Sequence, residues 1–160
     1  MRVARWLLPS LALLAAGCDD PAPARCVLPP VPADWHRATL SIADARLSLP
    51  PVALQRIGPV PGRMEGWYGR GFQVLASVAL DGAAPPSDTA CIVRVGDRPA
   101  SLRRLVRRPR PPSRDSVYGG QLHLQLGDGR ALAVELGAEG RARFDSLMAV
   151  FTSLELQSPR

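Results

Sequence analysis

The stretch "VYGGQLHLQLGDGRALAVEL", residues 117–136, decides the fold. Leu122, Leu124 and Leu126 alternate with His123 and Gln125, so the leucines share one side of a strand and the polar residues the other. Gly127-Asp128-Gly129 interrupts the run, and Leu132, Val134 and Leu136 then restore a matching apolar face. The pattern predicts an antiparallel hairpin that needs cover on one side only.

The same reading extends in both directions. Upstream, "ACIVRV" and "RPASLRRLV" flank Gly96-Asp97, a two-residue turn whose first position calls for positive φ, which predicts a second hairpin. Downstream, in "EGRARFDSLMAVFTSLEL", Phe144, Leu147, Met148 and Phe151 fall at i, i+3, i+4 and i+7 and form one stripe of a helix. That stripe is expected to lie on the apolar sheet face. Thr152, Leu154 and Leu156 then alternate and predict a short final strand. Nearer the start, "ATLSIADARLSLPP" reads as one bent strand or two short ones, closed by Pro50-Pro51. "PVALQRIGPVPGRMEG" is punctuated by Gly58, Pro59, Pro61 and Gly62 and reads as a loop. "GWYGRGFQVLASVAL" reads as a strand ended by Asp81-Gly82, and "DGAAPPSD" as a further loop. Strands followed by a late helix give an α+β fold: a mainly antiparallel sheet built from hairpins, with a C-terminal amphipathic helix packed on one face.

The N-terminus has a different character. Arg2 and Arg5 precede an apolar run from Trp6 to Ala16, closed by Asp19 and Asp20. About eleven apolar residues suit a signal-peptide core, whereas a bilayer-spanning helix needs roughly 20. The run ends "LAAGC", with small residues immediately before Cys18. Here the chain resembles a bacterial lipoprotein precursor, whose lipobox reads roughly Leu-Ala-Gly-Cys; alanine stands where that pattern has leucine. The resemblance implies a diacylglycerol thioether on Cys18, cleavage before it, and an envelope address outside the cytoplasm. The thiol is required because sulfur is the nucleophile, and the small neighbours let the peptidase approach the backbone. Asp19 fits a pattern that keeps some lipoproteins at the inner membrane, a rule that varies between bacterial groups and leaves the choice of membrane open. The expected organisation is a signal peptide over 1–17, a proline-rich tether over 18–34, and one α+β domain over 35–160. Prolines 21, 23, 29, 30 and 32 keep the tether extended.

The order of elements in the domain also resembles the PsbP/Mog1-like domains of small bacterial lipoproteins. That resemblance spans most of residues 38–156 and implies a binding or assembly role rather than a reaction.

Composition adds limits. All 20 cationic side chains other than histidine are arginine against 14 acidic residues, and loss of Arg2 and Arg5 leaves 18 − 14 = +4. The absence of lysine and asparagine beside abundant Ala, Gly, Pro and Arg marks a GC-rich genome, and it excludes N-glycosylation sequons. Beyond Cys18 only Cys26 and Cys91 remain. In an oxidising compartment they are expected to pair, the alternative being two free thiols.

Chemistry-bearing motifs are scarce. There is no Gly-x-Ser-x-Gly, His-Glu-x-x-His, Cys-x-x-Cys or phosphate-binding glycine loop, and without lysine Ser-x-x-Lys cannot occur. No cofactor and no metal site is expected, and "GDG" at 127–129 reads as a hairpin turn rather than a calcium loop. Trp67, Tyr68 and Phe72 either pack on the core or form an aromatic platform for a sugar or peptide. The concentrated feature is "RRLVRRPRPPSR", which crowds Arg103, Arg104, Arg107, Arg108, Arg110 and Arg114 together. Dense like charge favours an exposed loop unless an anion sits among it. The envelope anions available are anionic lipid, cell-wall polymer and acidic envelope proteins. Nucleic acid is not expected, given the address and the lack of interleaved aromatics. The expected function is therefore non-enzymatic binding or assembly at the membrane. A hydrolase-like envelope enzyme with a site assembled from scattered residues is the alternative.

Overall fold

The computed structural model describes residues 25–60, 63–79, 91–107, 116–127 and 129–157. Cys18, Arg108, Arg110 and Arg114 lie outside the described residues, as do the "DGAAPPSD" loop and Asp128.

The central hairpin forms as its alternation predicts. Strand β8 (Val117–Gln125) pairs antiparallel with β9 (Ala131–Glu139), setting Leu122 opposite Val134 and Leu124 opposite Leu132. All four are buried. The Gly96-Asp97 hairpin joins β6 (Cys91–Val95) to β7 (Arg98–Arg107), with Gly96 at φ 61°. On the other side of β9 lies β5 (Phe72–Ala79), whose Val74 and Ala76 meet Leu136 and Val134. With β3 (Gln55–Val60) and β4 (Met64–Gly69) these make a seven-stranded antiparallel sheet in the order β3-β4-β5-β9-β8-β7-β6. A second sheet of three strands holds β1 (His36–Leu40), β2 (Ala45–Leu49) and β10 (Glu155–Leu156), in the order β1-β2-β10. The result is an α+β fold dominated by antiparallel strands.

The C-terminal stripe is buried as expected, but its helix is short and broken. Helix α1 (Arg141–Leu147) gives way to α2 (Ala149–Thr152) at Met148. Phe144, Leu147, Met148 and Phe151 all face the core. Gly120 allows the close approach: a Cβ there would stand 3.2 Å from the Phe151 ring and 3.3 Å from that of Phe144. Tyr118 stacks on Phe144 with centroids 6.2 Å apart. The far side of α2 meets β2, where the Ser48 amide donates to Ser153 Oγ at 2.7 Å.

Two expectations are revised, while the start of the domain takes the second of its two expected forms, two short strands, β1 and β2. The stretch read as a loop contains β3, an exposed edge strand whose register shifts between Ile57 and Val60, around the cis Gly58-Pro59 bond. An edge position tolerates this proline because its missing N–H takes nothing from the ladder. The strand expected from Trp67 onward is two strands, β4 and β5, folded at Arg70-Gly71 with Gly71 at φ 76°.

The described part of the proline-rich stretch lies along the domain. Arg25 forms a parallel bridge to Ile92, and the Cys26 amide donates to the Ile92 carbonyl at 3.1 Å. Thr152 Oγ1 donates to the Pro29 carbonyl at 2.7 Å, and the Trp35 amide to that of Pro32 at 3.2 Å.

Candidate functional site

Cys26 and Cys91 form a disulfide with Cα atoms 5.5 Å apart, well inside the usual bridging range. It fastens the N-terminal segment to the edge strand β6. The expected cysteine pairing is therefore present.

The arginine-rich stretch begins in the second strand of the Gly96-Asp97 hairpin. Arg103, Arg104 and Arg107 all belong to β7, and consecutive positions point to opposite faces. Arg104 is exposed on the side that carries the helices, opposite Gly120 in register. Arg103 is half-buried on the other side, opposite Gln121. The structure thus separates the first two members of the cluster instead of gathering them.

That second side of the seven-stranded sheet carries a row of polar groups. Gln121 Nε2 donates to Glu135 Oε1 at 2.8 Å across β8 and β9. Gly119 and Gly137 are direct partners beside them, so the surface between Gln73 and Arg103 dips into a hollow of about 340 Å³. A neighbouring hollow of about 380 Å³ continues past Gln73 to Tyr68 and Ile57. Tyr68 Oη donates to Gln55 Oε1. Amides, a carboxylate and a guanidinium above a glycine floor can hold an extended polar ligand.

His123 stands on this side, opposite Ser101 and Ala133. Burial lowers its pKa from the ordinary histidine value, favouring the neutral ring. Two residues along β9 from its Ala133 partner, Glu135 is engaged with Gln121. Among the described residues no group of three or more His, Cys, Asp or Glu side chains could hold a metal ion.

The aromatic trio is divided by burial. Trp67 packs inward and is buried, Phe72 is half-buried, and Tyr68 is exposed on the hollow. Beside Trp67 sits a feature that sequence reading missed. Glu65 in β4 is completely buried, and its Oε2 accepts Arg56 Nη2 of β3 at 3.2 Å. The other oxygen, Oε1, is buried without a hydrogen-bond partner. The Arg56 guanidinium also lies 5.9 Å from the Trp67 ring centre and 3.4 Å from Ser41 Oγ. Alternation with Trp67 was the available sign that Glu65 shares its inward face.

No family model matches the chain, and no curated protein does. Among solved structures the chain is similar to a crystal structure of a protein from Bacteroides thetaiotaomicron, with a TM-score of 0.53 and 11% identity. The match covers 78% of this chain and 49% of that one, so this chain spans about half the other's length. At that identity the likeness is one of fold.

Proposed function

We propose that this chain is a lipid-anchored protein of the bacterial cell envelope that binds or assembles rather than catalyses. The observation that carries the reading is the run from Leu11 to Cys18, an apolar segment ending in Ala-Ala-Gly-Cys ahead of a proline string. The lipid on Cys18 holds the chain at the membrane, where the seven residues from Cys18 to Ala24 precede Arg25, which is bridged to the sheet. The weaker resemblance to PsbP/Mog1-like domains points toward binding in the same way. The six arginines from Arg103 to Arg114 supply attraction to anionic lipid, cell-wall polymer or an acidic envelope partner. Each basic group near an anionic bilayer contributes roughly 1 kcal/mol.

The test is expression with a labelled fatty acid, followed by membrane fractionation. Wild type is expected to incorporate label and sediment with membranes, while Cys18→Ser does neither. Wild type without acyl label, or Cys18→Ser processed and retained like wild type, would overturn the anchor. A chain with Gln at all six arginines, compared with wild type on anionic vesicles at low and high salt, separately tests the electrostatic contact. Equal binding at low salt removes the arginines from the function and leaves the anchor standing.

A further inference from the structure

The N-terminal segment, the β4–β5 turn and α1 enclose a cleft that no sequence motif announces. Trp35, Val52, Phe72 and Leu147 form its walls around about 490 Å³. That volume falls within the ~300–1,000 Å³ of small-molecule sites, which are largely apolar with a few placed polar groups. Trp35 and Phe72 are half-buried, and Val52 is 49% exposed, so the apolar surface is accessible. The wall carrying Pro32 and Trp35 is held from the N-terminal side by the Pro29 contact to Thr152 and by the Cys26–Cys91 bond.

Two guanidiniums, Arg70 of the β4–β5 turn and Arg143 of α1, also line this cleft, and both residues are exposed. Arg143 Nη1 donates to the Gly71 carbonyl at 3.5 Å, and its guanidinium lies where a Gly71 side chain would stand. A Cβ on Gly71 would come within 2.1 Å of that nitrogen and 3.1 Å of Glu139 Oε2. Glu139 is a carboxylate beside Gly71, but the charged residues that line the cleft itself are Arg70 and Arg143, so its lining is net positive. An apolar cavity lined with two cations matches a ligand that is itself apolar with one anionic end.

We propose that this cleft binds a single-chain anionic amphiphile. The acyl chain lies against Trp35, Val52 and Phe72, and a carboxylate or phosphate head lies between Arg70 and Arg143. Arginine suits that head because its planar fork gives two parallel charge-assisted hydrogen bonds to such oxygens. The stems of the two arginines extend the apolar wall while their heads stay in water.

The test uses the full chain in its own membranes and a diazirine-bearing palmitic acid. After irradiation the protein is reduced and digested with trypsin. Cleavage at arginine isolates "CVLPPVPADWHR" (26–37) and "LSLPPVALQR" (47–56), which carry Trp35 and Val52. Label is expected on both, displaced by excess unlabelled palmitate. In Arg70→Gln/Arg143→Gln it falls about tenfold, as expected for losing a charge-assisted contact. Val52→Glu, at a half-exposed position outside the core, sets a carboxylate against the acyl chain and is expected to lower labelling. A diazirine alkyl phosphate run in parallel distinguishes a phosphate head from a carboxylate. Label spread evenly along the chain, label insensitive to competitor, equal labelling by a diazirine alcohol, or label unchanged in both variants would overturn the proposal.

Discussion

Replacing Arg56 by methionine isolates the buried carboxylate of Glu65. In the native protein Glu65 is fully enclosed and Arg56 supplies its ion pair at 3.2 Å, while the other carboxylate oxygen has no hydrogen-bond partner. Removing one member of a buried pair costs about 3–5 kcal/mol, because the remaining charge is left uncompensated. Arg56 is 48% exposed, so water already shares its charge and could partly replace it, which lowers the expectation to about 2–3 kcal/mol. With a urea m-value of ~1–3 kcal/mol/M, the unfolding midpoint should fall by roughly 1 M or more. The informative comparison is Arg56→Met/Glu65→Met. Filling the site with two apolar side chains removes the buried charge, so the double variant should recover most of the loss, as apolar replacements of buried ion pairs often do. Urea titrations followed by circular dichroism on wild type, both single variants and the double variant complete the cycle. A cost below about 1 kcal/mol for Arg56→Met, or a double variant as unstable as that single one, would refute the claim that the pair is coupled.

Three further outcomes can be measured alongside it. Cys26→Ser/Cys91→Ser should lower stability by about 4 kcal/mol, the chain-entropy value for a 65-residue separation, and non-reducing peptide mapping of the wild type should show the two cysteines joined. Gly120→Val should cost about 1–3 kcal/mol in thermal or urea unfolding, because its side chain would overpack against Phe144 and Phe151. His123 has a folded pKa below its unfolded value of 6.5, so its contribution is fully present above 6.5 and is lost as pH falls through the folded pKa. His123→Gln should flatten that part of the stability profile, and an unchanged slope would show that the ring is not desolvated.

The elements legible in the sequence were those that bury one face. Leu122 and Leu124 declare their strand by alternating with His123 and Gln125, Leu132, Val134 and Leu136 declare theirs by recurring at every second position, and the Phe144–Phe151 stripe declares its helix by spacing. Strand β3 was illegible for the converse reason. It has no buried face, so its residues carry turn-like chemistry without apolar periodicity. The three-stranded sheet was hidden because β10 is two residues long and finds β2 across the chain, Glu155 opposite Arg46. The cysteine pair followed from counting thiols in a chain whose N-terminal run reads as an export signal. The amphiphile cleft did not, since Trp35, Phe72 and Arg143 become neighbours only once α1 and the N-terminal segment have docked. Glu65 was passed over because a lone carboxylate in a strand ordinarily faces water.

The bond between Cys26 and Cys91 also sets a leash. Measured along the sequence, the proline-rich stretch from Cys18 to Asp34 would let a domain beginning at Trp35 roam up to ~60 Å from a lipid on Cys18, at ~3.3–3.6 Å per residue. Fastening Cys26 to the sheet edge leaves only the steps from Cys18 to Cys26, a reach of under ~30 Å. Halving a radius cuts the volume swept to about an eighth, so a partner in the same membrane meets the domain at a correspondingly higher local concentration. In the proposed lipid-anchored form, this shorter leash would make the domain a close-range reader of the bilayer that holds it.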